Sequence, residues 1–567
     1  NYVAIIEGYI DMVFTTITQN ETELKEKFTA CLPIHKLVEL LHNETDSALS
    51  KLLNHYVQNN ELDELVKKIN AYSKLQHHQA MNKASSAESV ESVILDGMKQ
   101  VTPIQVLDKI LDEISHISQE LMAYDTTMRA LLAEQIEETD DEKRETVDDA
   151  RTRYQLPSQS KISMIRTRLT GDYINLEQFN MQYQIYRVLI EENNIDGNAL
   201  RHAQHAEDED SYRSGISGAI YYLLKTLAIR AFNTYDCNVS CAIVNHICNS
   251  LESIYKEWLD KKLKQQPGQR DKSNIAEHFY RSTKSLYDIT KMGTSTNSSD
   301  HKKSIIILNT IDQSMKDNNL ITNQLEEEVN QIFQDVSEKD KFKIRQTIKG
   351  FDDISKSFER IIERGIYRYS QTFHQILQSS LNRFKEENYQ ITDKQFNNQS
   401  AAKSNNHNSG DANQGSRGGD NRSFVDILVQ SSKPTFYALS RRLTNGNFDR
   451  LLVCLLSFYL NELERFVFNH KFTFWGSLKF DKNRQELQSY FGELTNTRSI
   501  RDQFVRMRCI AEILQFSKID EARNYVNDDM NLVSNAASDQ TLTPDEIKKF
   551  LLLRTEFNAY EIEQLQL

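Results

Sequence analysis

Apolar residues return along this chain at intervals of three and four, the spacing that places them on one face of an α-helix. After Pro33, Leu37, Leu41, Ala48, Leu52 and Tyr56 recur in this way, and after Pro103 the series is Ile104, Leu107, Ile110, Leu111 and Ile114. Amphipathic segments continue from Tyr183 to Leu200 and from Tyr212 to Leu263, where Pro267-Gly268 ends the second. From Ile307 to Phe333, Leu308, Ile311, Met315, Leu325, Val329 and Ile332 form a stripe interrupted by Asn318 and Thr322. Polar breaks of that kind suit a helix packed inside a bundle better than a long coiled coil. Phe351, Ile354, Phe358, Ile361, Tyr369, Phe373, Ile376 and Phe384 predict the clearest rod, about 50 Å long if continuous. Phe448, Leu452, Leu455, Tyr459, Leu463 and Phe466 predict another buried stripe.

Two stretches break the pattern. Residues 137–149, EETDDEKRETVDD, are too charged for a core and predict a surface loop or exposed helix end. Residues 397–423 hold no large apolar side chain, are rich in Asn, Ser and Gly, and predict a disordered loop between helices. The expected fold is all-α, an elongated stack of helical bundles. It divides into an N-terminal helical segment (1–136), a middle bundle (137–300), a bundle carrying the loop (301–490) and a small C-terminal bundle (491–567).

Composition supports helices with few corners: the 567 residues include only 17 glycines and 6 prolines. Hydrophobic residues make up 39%, enough for a core. The net charge of −13 argues against nucleic acid as a partner, because such binding rests on neutralising phosphates. The longest strongly apolar run, from Leu451 to Leu460, is far short of the roughly 20 residues of a membrane-spanning helix. Six scattered cysteines fit a reducing compartment. The chain begins with Asn1 rather than Met, as a piece of a longer polypeptide would.

Candidate chemistry is sparse. Cys237, Cys241, His246 and Cys248 cluster in CNVSCAIVNHIC, but the three thiols share a helical face and read as small packed hydrophobes. Ligands on one rigid helix cannot surround a tetrahedral ion, and no CxxC offers a second pair. His202 and His205, followed by Glu207 and Asp208, could ligate a metal, yet they lie in a polar stretch where exposed histidines are common. No phosphate-binding glycine loop, nucleophile elbow or HExxH helix occurs at a usable place, so the reading is of a protein that is not an enzyme, with no cofactor and no metal.

The C-terminal residues are more specific. Thr543, Pro544 and Glu546 spell a capping box with proline at the first helical position. Ile547, Phe550, Leu551, Arg554 and Phe557 then run on at helical spacing. Upstream, Ile500, Phe504, Met507, Ile510 and Leu514 predict an amphipathic helix flanked by Arg498, Arg501, Arg506 and Arg508. Arg501 and Arg508, seven apart, are expected on one face, and Arg498, Arg501 and Arg508 form a candidate interaction surface, against the plain reading of a solvated face.

This block, from Trp475 to Gln515 and again from Leu542 to Phe557, resembles the end of subunit four of the conserved oligomeric Golgi complex, a family of helical-rod tethering subunits. The matching positions are Gly476, Leu478, Phe480 and Asp481, then Ile500, Arg501, Asp502, Phe504 and Arg506, then Leu542, Thr543, Pro544 and Glu546. Looser similarity runs through Ile307–Phe333 and Cys237–Glu252. The resemblance implies a non-enzymatic subunit of a Golgi vesicle tether acting in retrograde intra-Golgi transport. Its implied partners are sibling subunits, syntaxin-type SNAREs and the regulator that escorts them. Its implied place is the cytosolic face of the Golgi membrane, held peripherally through partners, or the cytoplasm. It also implies that Arg506 and Glu546 form a salt bridge joining the last helices; the plainer reading is that Glu546 only completes its capping box. Arg498 replaces a family tryptophan, and the family's N-terminal coiled-coil region is expected to be missing before Asn1. The rival readings are a helical-rod subunit of another tether such as the exocyst, and a helical regulator or enzyme built on the polar clusters.

Overall fold

The computed structural model describes residues 2–27, 32–82, 90–137, 160–202, 212–264, 296–334, 336–398, 422–495, 497–526 and 542–565. The charged run beyond residue 137, the interior of the Asn/Ser/Gly stretch (399–421), the side chain of His202, and His205, Glu207 and Asp208 lie outside the described residues. Among those described, the regular structure is helical, without β-strands; one isolated parallel bridge joins Phe472 and Arg554.

The helices are α1 (Tyr2–Lys27), α2 (Leu32–Asn59), α3 (Leu62–Asn82), α4 (Val90–Lys99), α5 (Ile104–Glu137), α6 (Lys161–His202), α7 (Ile216–Phe232) and α8 (Cys237–Ser250). A π-helical turn, Leu251–Lys256, leads into α9 (Glu257–Lys264). Then come α10 (Thr296–Ile332), α11 (Glu338–Ile348), α12 (Gly350–Gln371), α13 (His374–Glu386), α14 (Phe424–Ser440), α15 (Asn445–Val467) and α16 (Phe474–Leu494). The last are α17 (Arg498–Gln503), α18 (Val505–Leu514), α19 (Pro544–Leu551) and α20 (Ala559–Glu563). They form two compact units. The first comprises Asn1–Glu207, Ser214–Lys261 and Gln313–Glu359; the second comprises Asp208–Arg213, Lys262–Asp312 and Arg360–Leu567.

In the first unit α6 is central, packing against α2, α3, α4, α5, α7 and α8. Its N-terminal amides are met by Asp46 of α2, which accepts from Ile162 N at 2.8 Å. The chain reverses after α7 at Tyr235, whose φ is 55°, and Asp236 then caps α8. An ion cluster joins three helices: Arg230 of α7 donates to fully buried Glu177 of α6 at 2.7 and 3.0 Å, and to exposed Asp112 of α5 at 2.9 Å. Asn318 is fully buried, donating to Phe351 O and Ser355 Oγ at 2.8 Å each and accepting from Tyr221. The polar break in that stripe is therefore a satisfied core amide.

The stripe after Pro103 is buried as the periodicity predicts. In α2 the buried face lies one position over, at Val38, His42, Thr45, Leu49, Leu53 and Tyr56. The residues of the expected rod are also buried, but the rod is two helices. The chain turns at Thr372 and Phe373, where Thr372 Oγ1 donates to Tyr369 O at 2.7 Å and Phe373 N to Ser370 O at 2.9 Å. Cys237, Cys241 and Cys248 are half-buried free thiols on α8, and burial pushes Cys237 and Cys248 up to about 12. Among the described residues no group of three or more His, Cys, Asp or Glu side chains is placed to hold a metal.

In the second unit α13 packs on α14 and α15, and α16 packs on α14, α17 and α18. The extended segment after α13 lies against the start of α16, and this contact fixes the C-terminal helices.

Candidate functional site

Thr473 caps α16 and also bonds the extended segment: its N donates to Tyr389 O at 3.1 Å and its Oγ1 to Ile391 O at 2.7 Å. The backbones come so close that a Cβ on Gly476 would sit 1.7 Å from Tyr389 O, so no other residue fits there. Tyr389 itself is buried and donates to Glu387 Oε2 at 3.1 Å, while Glu387 Oε1 accepts from Phe424 N at 2.8 Å.

The chain's end returns to the same place. Phe472 N donates to Leu553 O, and Thr555 N donates to Phe472 O, each at 2.9 Å. Helix α19 stops at Leu551, so Arg554 does not continue it as the spacing suggests. Instead Arg554 is buried, and Nη1 donates to the carbonyls of Leu514 and, at 2.9 Å, Phe516, where α18 ends. A cation is favoured at that negative end of the helix dipole. Glu556 accepts from Arg554 Nε at 3.0 Å and from Phe474 N at 2.8 Å. Burial opposes the charge on Glu556, but the Phe474 amide and Arg554 outweigh it and hold its carboxyl below the usual range.

Arg506, on α18, is the hub. Its Nε and Nη2 donate to the two carboxylate oxygens of Glu464 on α15 at 2.9 and 2.8 Å. Nη2 also donates to Glu546 Oε1 on α19 at 2.6 Å. The other oxygen of Glu546 accepts from Thr543 N at 2.8 Å, closing the capping box with Thr543 Oγ1 on Glu546 N. One carboxylate thus both caps α19 and ties it to α18. Burial opposes ionisation of Glu546, yet Arg506 and the Thr543 amide together hold its carboxyl below the usual range. The Glu464 bonds, more than those to Glu546, hold Arg506 firmly protonated against the cost of burial.

The amphipathic segment is not one helix. Phe504, buried, sits in the turn between α17 and α18, so Arg501 and Arg508 belong to different helices and their seven-residue spacing does not place them on one face. Arg498 is the most exposed of them, at 92% of its side chain, 3.7 Å from Asp502. Arg508 pairs with Glu512 at 3.4 Å on the outer side of α18. Arg501 lines a surface cleft of about 340 Å³ with Gln485, Gln488, Ser489, Gly492 and Ile500. Nothing in the cleft or around Arg506 joins a nucleophile to a base. The geometry is that of a braced surface, with one groove presenting amides and a guanidinium.

Glu464 and Arg554 were not legible as members of this cluster. Glu464 lies 42 residues before Arg506, and no local spacing links them.

The C-terminal model of conserved oligomeric Golgi complex subunit 4 matches residues 304–549, and a second model, COG4 transport protein, middle alpha-helical bundle, matches residues 1–263. Conserved oligomeric Golgi complex subunit 4 of Arabidopsis thaliana is 21% identical over 70% of this chain and 46% of its own length. The subunit of the same name from Drosophila melanogaster is 20% identical over 94% of this chain and 64% of its own. The chain thus spans less than two thirds of the length of these relatives. Among solved structures, the C-terminal domain of the exocyst subunit Sec6p matches with a TM-score of 0.44 and 11% identity, over 71% of this chain and 89% of that domain. With family models matching both segments of the chain, and relatives aligned across nearly all of it, the chain belongs to the family of conserved oligomeric Golgi complex subunit 4.

Proposed function

We propose that this chain acts as a non-enzymatic subunit of an oligomeric Golgi tether, serving retrograde intra-Golgi transport by docking. In this reading it assembles with sibling subunits and meets syntaxin-type SNAREs and their regulator at the cytosolic face of the Golgi membrane. The observation that carries it is the family match over residues 1–263 and 304–549. The braced C-terminal helices support it physically: a docking surface requires a fixed scaffold and no reacting groups. No described helix is long and apolar enough to cross a membrane, which accords with attachment through partners. Arg498, Arg501 and Arg508 are the proposed interaction surface, and Arg506 with Glu546 the structural pair beneath it.

Affinity purification of the tagged chain from cells, with identification of the co-purifying polypeptides, tests the reading. Sibling subunits of the Golgi complex are expected in stoichiometric amounts. Their absence, or recovery of exocyst subunits instead, overturns it.

A further inference from the structure

Helix α15 ends at Val467, and the turn behind it carries Phe468 to the surface, 43% exposed, with its ring stacked 4.8 Å from that of Phe550 in α19. Leu552, just past the end of α19, is 37% exposed, and its carbonyl accepts from Lys471 Nζ at 2.8 Å. A phenylalanine and a leucine are thus exposed at two helix ends that meet through the Phe468–Phe550 stack and the Lys471–Leu552 hydrogen bond. Lysines lie on these elements and on a neighbouring one: Lys471 in the turn, Lys548 and Lys549 in α19, and Lys385 in the last turn of α13, which packs on α15. Lys385 Nζ lies 3.9 Å from the centre of the Phe466 ring. Lys548 and Lys549 occupy the last turn of α19, four and three residues before Leu552 and so on its side of the helix.

Lys385, Lys471, Lys548 and Lys549 form no ion pair with any described carboxylate; of the nearby acids, Glu386, Glu462, Glu464 and Glu546 are engaged with arginines, and exposed Asp545, one turn before Lys548 and Lys549, offsets one lysine charge. Glu386 lies 3.7 Å from Arg383, Glu462 lies 2.6 Å from Arg465, and Glu464 and Glu546 hold Arg506. In a chain of net charge −13, four lysines against the single unengaged carboxylate of Asp545, near exposed apolar side chains, are a local reversal of sign. The patch stands on helix ends and turns, and the cleft at Gln485 and Arg501 lies elsewhere. Apolar tips accompanied by lysines are the chemistry that partitions into an anionic headgroup layer: the rings enter, the long aliphatic stems follow, and the ammonium groups meet lipid phosphates.

We propose that this patch contacts the surface of a membrane containing anionic phospholipid, with Phe468 and Leu552 entering the headgroup region and the four lysines facing lipid charge. The contact is weak alone and adds to attachment through protein partners. It does not depend on the tethering assignment, because vesicles hold no protein partner.

Flotation of the full 567-residue chain with vesicles of phosphatidylcholine, with and without phosphatidylserine, tests it. Binding is expected only to the anionic vesicles and is expected to fall as salt rises. A lysine beside an anionic surface is worth about five-fold in partition, so Lys385→Ala, Lys548→Ala and Lys549→Ala together are expected to cost at least about ten-fold. Lys471 is left in place because it bonds Leu552 O. Leu552→Ser is the second variant and is expected to weaken binding by about three-fold to ten-fold, with the circular dichroism of both variants unchanged. No binding to anionic vesicles, equal binding to neutral ones, binding retained by both variants, or occupancy by an acidic peptide that vesicles fail to displace overturns the proposal.

Discussion

Replacing Glu546 by Gln isolates its bond to Arg506. Glutamine keeps an oxygen for the Thr543 amide, so the capping box survives while the charge disappears. The side chains of Arg506, Glu464 and Glu546 are 26%, 18% and 30% exposed, between the limits of a solvated pair and a buried one. Glu546→Gln is therefore expected to cost about 0.5–1 kcal/mol. Arg506→Met removes the bonds to Glu464 as well and leaves two carboxylates facing each other, at about 2–3 kcal/mol. The double variant is expected to show a coupling of about 0.5–1 kcal/mol. The sign with pH follows from Glu546. Its carboxyl is depressed in the folded chain, so its contribution is present above the unfolded carboxylate range and disappears as pH falls through the folded value. The coupling should therefore be full at neutral pH and vanish in acid. The chain has two tryptophans, Trp258 in the first unit and Trp475 in the second, so urea unfolding followed by Trp475 fluorescence in a Trp258→Phe background reads the second unit alone. A coupling within about 0.3 kcal/mol of zero at neutral pH refutes the reasoning. A charge swap, Arg506→Glu with Glu546→Arg, is the poorer test, because Glu464 would then face a new carboxylate and the capping box would be lost.

Gly476→Ala is expected to cost at least about 3 kcal/mol in the same assay, since its Cβ would lie 1.7 Å from Tyr389 O, while Gly492→Ala, with nothing within 4 Å, is expected to be neutral or stabilising by up to about 1 kcal/mol. Asn318→Leu would leave Phe351 O and Tyr221 without their partner and is expected to cost about 2–4 kcal/mol, read as faster hydrogen exchange at the start of α12. Burial, opposed by Asp46 and Asp125 and aided by Arg129, depresses His42, whose Nδ1 lies 3.0 Å from Tyr124 Oη. The first unit is therefore expected to lose stability as pH falls below about 6.5, where the unfolded histidine takes up a proton and the folded one resists it. His42→Phe should flatten that slope in Trp258 fluorescence with Trp475→Phe; an unchanged slope counts against it.

The helical class was legible because the stripes of α12, α13 and α15 are apolar almost without interruption, and those of α5 and α10 keep their period across buried polar positions such as Ser115 and Asn318. It was less legible in α2, where the buried face includes His42 and Thr45, so the apolar count points one position away from the true core. Helix breaks were hidden for a related reason. Thr372-Phe373 and Phe504 keep the three-four rhythm across a turn, and a buried aromatic satisfies the pattern whether its backbone is helical or turning. The borders drawn at 301 and 491 pass through α10 and α16, since composition shifts mark loops and not packing. At the candidate site the structure brings Arg506, Glu546 and Thr543 together, while Glu464 and Arg554 required coordinates. A salt bridge between residues 42 apart leaves no trace in local spacing, and Arg554 looked like one more helical position.

Why so short a helix as α19 persists follows from the way its parts share groups. Eight residues are below the length at which an isolated helix is stable in water. Ile547, Phe550 and Leu551 are fully buried, but that burial alone would tolerate some rotation about the axis. The capping box fixes the first turn, and because Glu546 also reaches Arg506, the first turn is registered against α18 and, through Glu464, against α15. Arg554 registers the other end by holding the carbonyl of Leu514, the last residue of α18, and that of Phe516 just beyond it. Two arginines thus set both ends of a helix too short to set itself. Loss of either end is expected to free the apolar face to shift, which is why a charge pair of modest energy can govern the shape of the surface above it.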